Sequence, residues 1–145
     1  MLRVDTIQTR LRRLEEVVTE LRDLAKLAHA DLRGSLRSMW AVERGLQLGI
    51  EILLDIGNHI LSAQYGTGSD RYQDIIEQLA GQGILDEDLH RRLRGIAGFR
   101  NILVHDYLRL DPDRVEEALA TAPRDFDDFA LAIRRWFEGR ATKET

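Results

Sequence analysis

Residues 42–60 read VERGLQLGIEILLDIGNHI, and this stretch decides the fold. Leu46, Leu48, Ile50, Ile52, Leu53, Leu54, Ile56, Ile60 and, just beyond, Leu61 leave little polar face on a helix predicted from about Leu36 to Gln64. A helix that is apolar nearly all round is central to its domain, or lies in a subunit interface as well as a core. Gly45, Gly49 and Gly57 each lower helix propensity by about 1 kcal/mol relative to alanine. Close backbone approach by a neighbouring helix would offset that loss, through tight packing or through dimerisation. Glu51, Asp55 and His59 recur at steps of four and stack on one face. Carboxylates and an imidazole can hold a divalent ion. A polar stripe on an otherwise apolar helix is the commoner arrangement, so no metal is expected. Glu51 or Asp55 supporting some other site fits the spacing better.

Working outward, Ile7, Leu11, Leu14, Val18, Leu21, Ala25 and Ala28 fall on one stripe of a helix predicted from about Asp5 to about Leu32. Gly34 interrupts it, and Ser35 is placed to cap the next helix. Downstream, GTGSD (66–70) is a turn, with Ser69 or Asp70 capping a third helix that ends near Gly81 and Gly83. Asp86, Glu87 and Asp88 put negative charge in the first turn of a fourth helix, whose inward residues are Leu89, Leu93, Ile96, Ala97 and Leu103. Asp111–Pro112 is a helix start, a capping residue before proline at the first helical position. Pro123 is predicted to restart a final helix with Phe126, Phe129, Ala130, Ile133 and Phe137 as its stripe. No strand alternation or repeat occurs. The prediction is one all-α domain over 1–145, an up-down bundle of four main helices plus short C-terminal ones, with 139–145 as a frayed tail.

The 145 residues are 43% hydrophobic and 32% charged, which supports a real core and a solvated surface and excludes a disordered tail. The absence of cysteine excludes disulfides, thiolate metal sites and cysteine nucleophiles, and it fits a cytoplasmic protein. MLRVDTIQTRLRR has no long apolar run of the secretory kind, and no stretch approaches the roughly 20 apolar residues of a membrane span. A net charge of −4 argues against a general nucleic-acid coat protein. The average conceals a basic segment, however. Arg91, Arg92, Arg94 and Arg100 lie in a stretch with no acid from Leu89 to His105. It reads as a basic helix face or as a local anion site.

P-loops, dinucleotide fingerprints, zinc-protease motifs and nucleophile elbows are all missing. What remains is GFRNILVHDYLRLDP, with Arg100 five residues before His105 and Tyr107 two after it. The arginine–histidine spacing alone has about an even chance of arising at random in this composition, and the added tyrosine lowers that to roughly one in a hundred. This stretch resembles the HEPN superfamily and, within it, the HepT-like toxins, marked by R-x-x-x-x-H-x-Y. Arg100, His105 and Tyr107 match the mark, and Asn101 after the arginine is typical of it. Residues 42–60 look like the second helix of that family. The resemblance implies an all-α homodimer and a metal-independent ribonuclease, the toxin of a type VII-like toxin–antitoxin pair. It also implies a cognate minimal nucleotidyltransferase as antitoxin, which adds AMP to the motif tyrosine, here Tyr107.

The chemistry suits those residue types. Metal-free RNA cleavage needs a base for the 2′-OH proton, an acid for the leaving oxygen, and positive charge on the phosphate. Imidazole titrates near neutrality, so His105 serves as acid or base. A guanidinium matches phosphate oxygens with a planar fork, which assigns Arg100 to the scissile phosphate. The expected products are a 2′,3′-cyclic phosphate and a 5′-OH, with no cofactor. Arg94, Asn101 and Tyr107 are candidate substrate-binding residues. On one straight helix Arg100 and His105 lie about 140° apart. Either the helix loosens before Asp106, or the arginine wraps round, or a second copy contributes. Two alternatives stand beside catalysis. One is a non-catalytic module that binds nucleotide or RNA, or docks on a partner. The other is a purely structural motif, with arginine and histidine satisfying last-turn carbonyls and Tyr107 packed in the core.

Overall fold

The computed structural model describes residues 2–144 and the side chains of residues 2–140. Among them there is no strand, and the predicted all-α class holds. The helices are α1 (Val4–Ala25), α2 (His29–Arg33), α3 (Leu36–Ile60), α4 (Tyr72–Gly81), α5 (Glu87–Leu93), α6 (Ile96–His105) and α7 (Pro112–Glu144). A single π-helical turn, Leu61–Tyr65, extends α3, and a 3-10 turn, Tyr107–Arg109, follows α6.

The helix with the least polar face is the hub, and α1, α4, α6 and α7 all pack on α3. Its glycines mark where neighbours come closest. A methyl group at Gly45 would meet Leu21 of α1, at Gly49 Phe126 of α7, and at Gly57 Leu79 and Ile75 of α4. The close approach inferred from the sequence is therefore made within the chain.

The predicted first helix is two. Its stripe is buried through Leu21, but Ala25 and Ala28 are exposed. Small side chains bury too little to carry the helix on, and the turn at 26–28 lets Leu32 enter the core at 2% exposure. The fourth helix is also two, with Asp86 accepting from the Leu89 N–H at 2.8 Å to cap α5, and a break at Arg94–Gly95 before α6. Arg71 rather than Ser69 or Asp70 is the capping position of α4; Ser69 Oγ accepts the Arg71 N–H at 3.0 Å and donates to Asp74.

Pro112 begins α7 as predicted, but Pro123 does not restart a helix, because it lies inside α7. An interior proline removes one hydrogen bond and costs about 3 kcal/mol. Val115, Ala118, Leu119 and Ala122 before it, and Phe126, Phe129, Ala130 and Ile133 after it, are all buried. At about 1.5–3 kcal/mol for each large apolar side chain, keeping one continuous buried stripe outweighs the lost bond. The backbone of the tail expected to fray, 139–145, is helical through Glu144, while its side chains beyond residue 140 lie outside the described ones.

An ionic clasp sets the relation of α2 to α7. His29 Nδ1 lies 2.7 Å from Glu116, while Arg33 donates to Asp113 at 2.7 Å and to Glu116 at 3.1 Å. The start of α3 and the start of α7 thus share one end of the bundle. Among the described residues, no helix is long and apolar enough to cross a membrane.

Candidate active site

The short helix α6 carries the motif. Phe99 and Ala97 anchor it in the core, leaving Arg100 half-turned toward α3 and Asn101 exposed. The Arg100 side chain is only 14% exposed and donates from Nη2 to Glu51 Oε1 at 3.1 Å. Gln47, one turn earlier on α3, donates to the same oxygen at 3.3 Å. On its other side the guanidinium lies over Tyr72 of α4, 4.7 Å from the ring centroid. Its Nε is buried without a partner. A carboxylate and an aromatic face from two different helices therefore fix the plane of this arginine. Glu51 takes the supporting role suggested by its place on the polar stripe.

His105 is the last residue of α6 and is exposed. Among the described residues nothing hydrogen-bonds its imidazole, and it makes no bond to Arg100. Asp106 leaves helical geometry at φ −132°, ψ 46°, its N–H still donating to Ile102 at 3.1 Å. The helix therefore does not loosen before Asp106: it runs regularly through His105 and ends at Asp106. That ending throws Tyr107 and Leu108 outward, 71% and 88% exposed. A core-packed Tyr107 is thereby excluded. One chain offers a held guanidinium and an open imidazole, at positions about 140° apart on the regular helix α6.

The basic segment divides. Arg92 is tied to Asp88 at 3.0 Å, Asp125 at 2.6 Å and Asp128 at 2.8 Å, joining α5 to α7. Those carboxylates raise its pKa above the ordinary arginine value, while burial pushes the Asp125 carboxyl up. Arg91 pairs with Asp88. Arg92 is thus held in ion pairs between α5 and α7. Arg94 is exposed and carries no ion pair among the described residues.

Glu51, Asp55 and His59 are not gathered for an ion; among the described residues no group of three such side chains is. His59 Nε2 accepts the Arg3 backbone N–H at 3.1 Å, and burial lowers its pKa, so the ring is held neutral. Tyr72 and Gln47 went unnoticed in the sequence. Gln47 belongs to the i,i+4 row of Glu51, a usable signal; Tyr72 has none, because its partner comes from another helix.

Such a bundle, with the motif at the end of its penultimate helix, has the fold of the HEPN toxins. Residues 5–133 match the family described as Ribonuclease HepT-like, and the chain belongs to that family. It is 31% identical over 131 residues to the tRNA nuclease HepT of Aphanizomenon flos-aquae, covering 90% of this chain and 88% of that one. It is 33% identical over 89 residues to the mRNA nuclease HepT of Shewanella oneidensis, covering 61% and 67%. The tri-AMPylated Shewanella oneidensis HEPN toxin, solved in complex with MNT antitoxin, superposes with a TM-score of 0.83 at 24% identity over 92% of this chain and 99% of that one.

Proposed function

We propose that this HepT-like protein is the toxin of a toxin–antitoxin pair and cleaves RNA without a metal ion. The observation that carries the reading is Arg100, held between Glu51 and Tyr72 five residues before an unencumbered His105. Arg100 takes the scissile phosphate, His105 moves the proton at the 2′-OH or at the leaving 5′ oxygen, and Arg94 and Asn101 bind neighbouring groups of the strand. Because Arg100 and His105 stand about 140° apart on α6, the working site is completed across a two-fold axis, from two copies facing a shared cleft. Incubating the protein with bulk RNA in EDTA is the test. Fragments ending in 2′,3′-cyclic phosphate and 5′-OH support it; strict dependence on a divalent ion, or 3′-OH ends, would end it. The net charge of −4 favours a second reading, a non-catalytic nucleotide- or partner-binding module, for which intact RNA is the expected result.

The partner is a minimal nucleotidyltransferase, and Tyr107 is its target. A phenol 71% exposed, two residues past His105, is open to a modifying enzyme. AMP there adds a bulky anion at the mouth of the site, competing for the guanidinium through charge-assisted bonds of about 1.5–3 kcal/mol. Intact-mass analysis after coexpression should show added AMP on wild type and none on Tyr107→Phe. An increment that persists in Tyr107→Phe would assign the modification elsewhere.

A further inference from the structure

The exposed face of α3 carries Arg37, Trp40, Arg44, Gln47 and Glu51 within roughly 80° of arc at 100° per residue. Trp40 is 63% exposed, and Leu36 beside it 70%. Arg37 and Arg44 are exposed, and neither forms a hydrogen bond or ion pair among the described residues. What sets Arg37 and Arg44 apart from other unpaired arginines is the open indole of Trp40 between them on one helix face. The same row continues through Gln47 to Glu51, which holds Arg100. Trp40 lies about 16 Å along the helix axis from Glu51 at 1.5 Å per residue. The clasp of Arg33 on Asp113 and Glu116 puts this end of α3 at the end of the bundle where the Tyr107–Arg109 turn leads into α7. The acid nearest in sequence, Glu43, sits about 100° round the helix from Arg44, and burial pushes its carboxyl up.

We infer that Arg37, Trp40 and Arg44 form a binding strip for single-stranded RNA that leads the substrate to Arg100. A base stacks on the indole, and the phosphates on either side meet the two guanidiniums. Stacking on an exposed aromatic between cations is how strands are held without sequence preference. The strip also resolves the conflict between an acidic protein and an anionic substrate, since the charge that matters is local. The inference rests on the ribonuclease reading for its direction toward Arg100, but not for the binding itself.

The test uses a 12-nucleotide, fully 2′-O-methylated, fluorescein-labelled RNA, which 2′-OH chemistry cannot cleave, and fluorescence anisotropy with the wild-type protein. Its outcome therefore stands whether or not the protein proves to be a nuclease. Trp40→Ala should weaken binding about tenfold and Trp40→Phe much less, as for base stacking on an aromatic ring. Arg37→Ala with Arg44→Ala should weaken it about tenfold. The pair should also lower the slope of log affinity against log salt by about 1.4, or about 0.7 for each phosphate left without its guanidinium. Thermal midpoints should stay put, because all three side chains are exposed. No binding by wild type, or unchanged affinity and slope in the variants, would overturn the inference. So would a change of molar mass by light scattering in Trp40→Ala, which would make the strip an interface between copies. Loss of nucleotidyltransferase binding with RNA affinity intact would overturn it in favour of a protein-docking face.

Discussion

Arg100→Ala and His105→Ala are each expected to lower RNA cleavage at least about 100-fold, the scale of losing a charge-stabilising group or an acid–base group. The reasons differ. His105 is exposed and unbonded at the end of α6, so its removal disturbs no packing and the loss belongs to proton transfer. Arg100 is packed against Tyr72 and bonded to Glu51, so its removal also strips a donor from a carboxylate that is 30% exposed. That carboxylate keeps Gln47 and water, and the expected change in stability is small beside the change in rate. Arg100→Lys should rescue little. An ammonium is a point charge, and it cannot lie flat on Tyr72, bond Glu51 and present a fork to a phosphate together. Initial rates on a defined RNA in EDTA, with thermal midpoints measured alongside, make the check. Wild-type rates in either alanine variant would remove that residue from the chemistry.

Gly49→Ala should be the most damaging small substitution in the core. Its methyl would collide with Phe126 Cε2 and stand 2.8 Å from Cζ. Phe126 is 1% exposed, so either its ring must shift within the core or α3 and α7 must separate. Overpacking of this kind costs about 3 kcal/mol, against about 1 kcal/mol gained in helix propensity. The net loss, about 2 kcal/mol, lowers the unfolding midpoint by roughly 6–8 °C in a domain of this size. Gly98 in α6 provides the contrast. Nothing lies within 4 Å of an added methyl there, so Gly98→Ala should raise the midpoint. Calorimetry of the two variants decides it, and an unchanged midpoint for Gly49→Ala would show that α3 and α7 can part at little cost.

What the sequence disclosed follows from how far apart the interacting residues lie in the chain. The central place of α3 was legible because nine apolar residues leave a helix little polar face, and that property is local. Arg100, His105 and Tyr107 stood out because the motif they match keeps a fixed spacing within eight residues. The surroundings of Arg100 were only half legible. Glu51 stood out on its stripe, but nothing in the chain points from Tyr72 to an arginine on another helix. The pairing within the basic run was hidden for the same reason. Its Arg92 is neutralised by Asp125 and Asp128, 33 and 36 residues further on. Pro123 was misread in the opposite direction, since a sound local rule yields when both flanking segments have deep places in the core.

The pairing of α1 with α7 governs when the protein can become itself. Ion pairs between these helices join Arg22 to Asp127 and Glu15 to Arg134, across 105 and 119 residues. Phe126 and Phe129 of α7 are among the largest fully buried side chains. On the ribosome α1 therefore waits for α7. At about 5–20 residues per second, the 33 residues of α7 alone take roughly 2–7 s to emerge. Through that interval the apolar stripe of α1 has no α7 to cover it, and loops of this length close late in folding. Completion of the bundle is thus coupled to synthesis of α7, and until α7 is made α3 lacks Phe126 against Gly49.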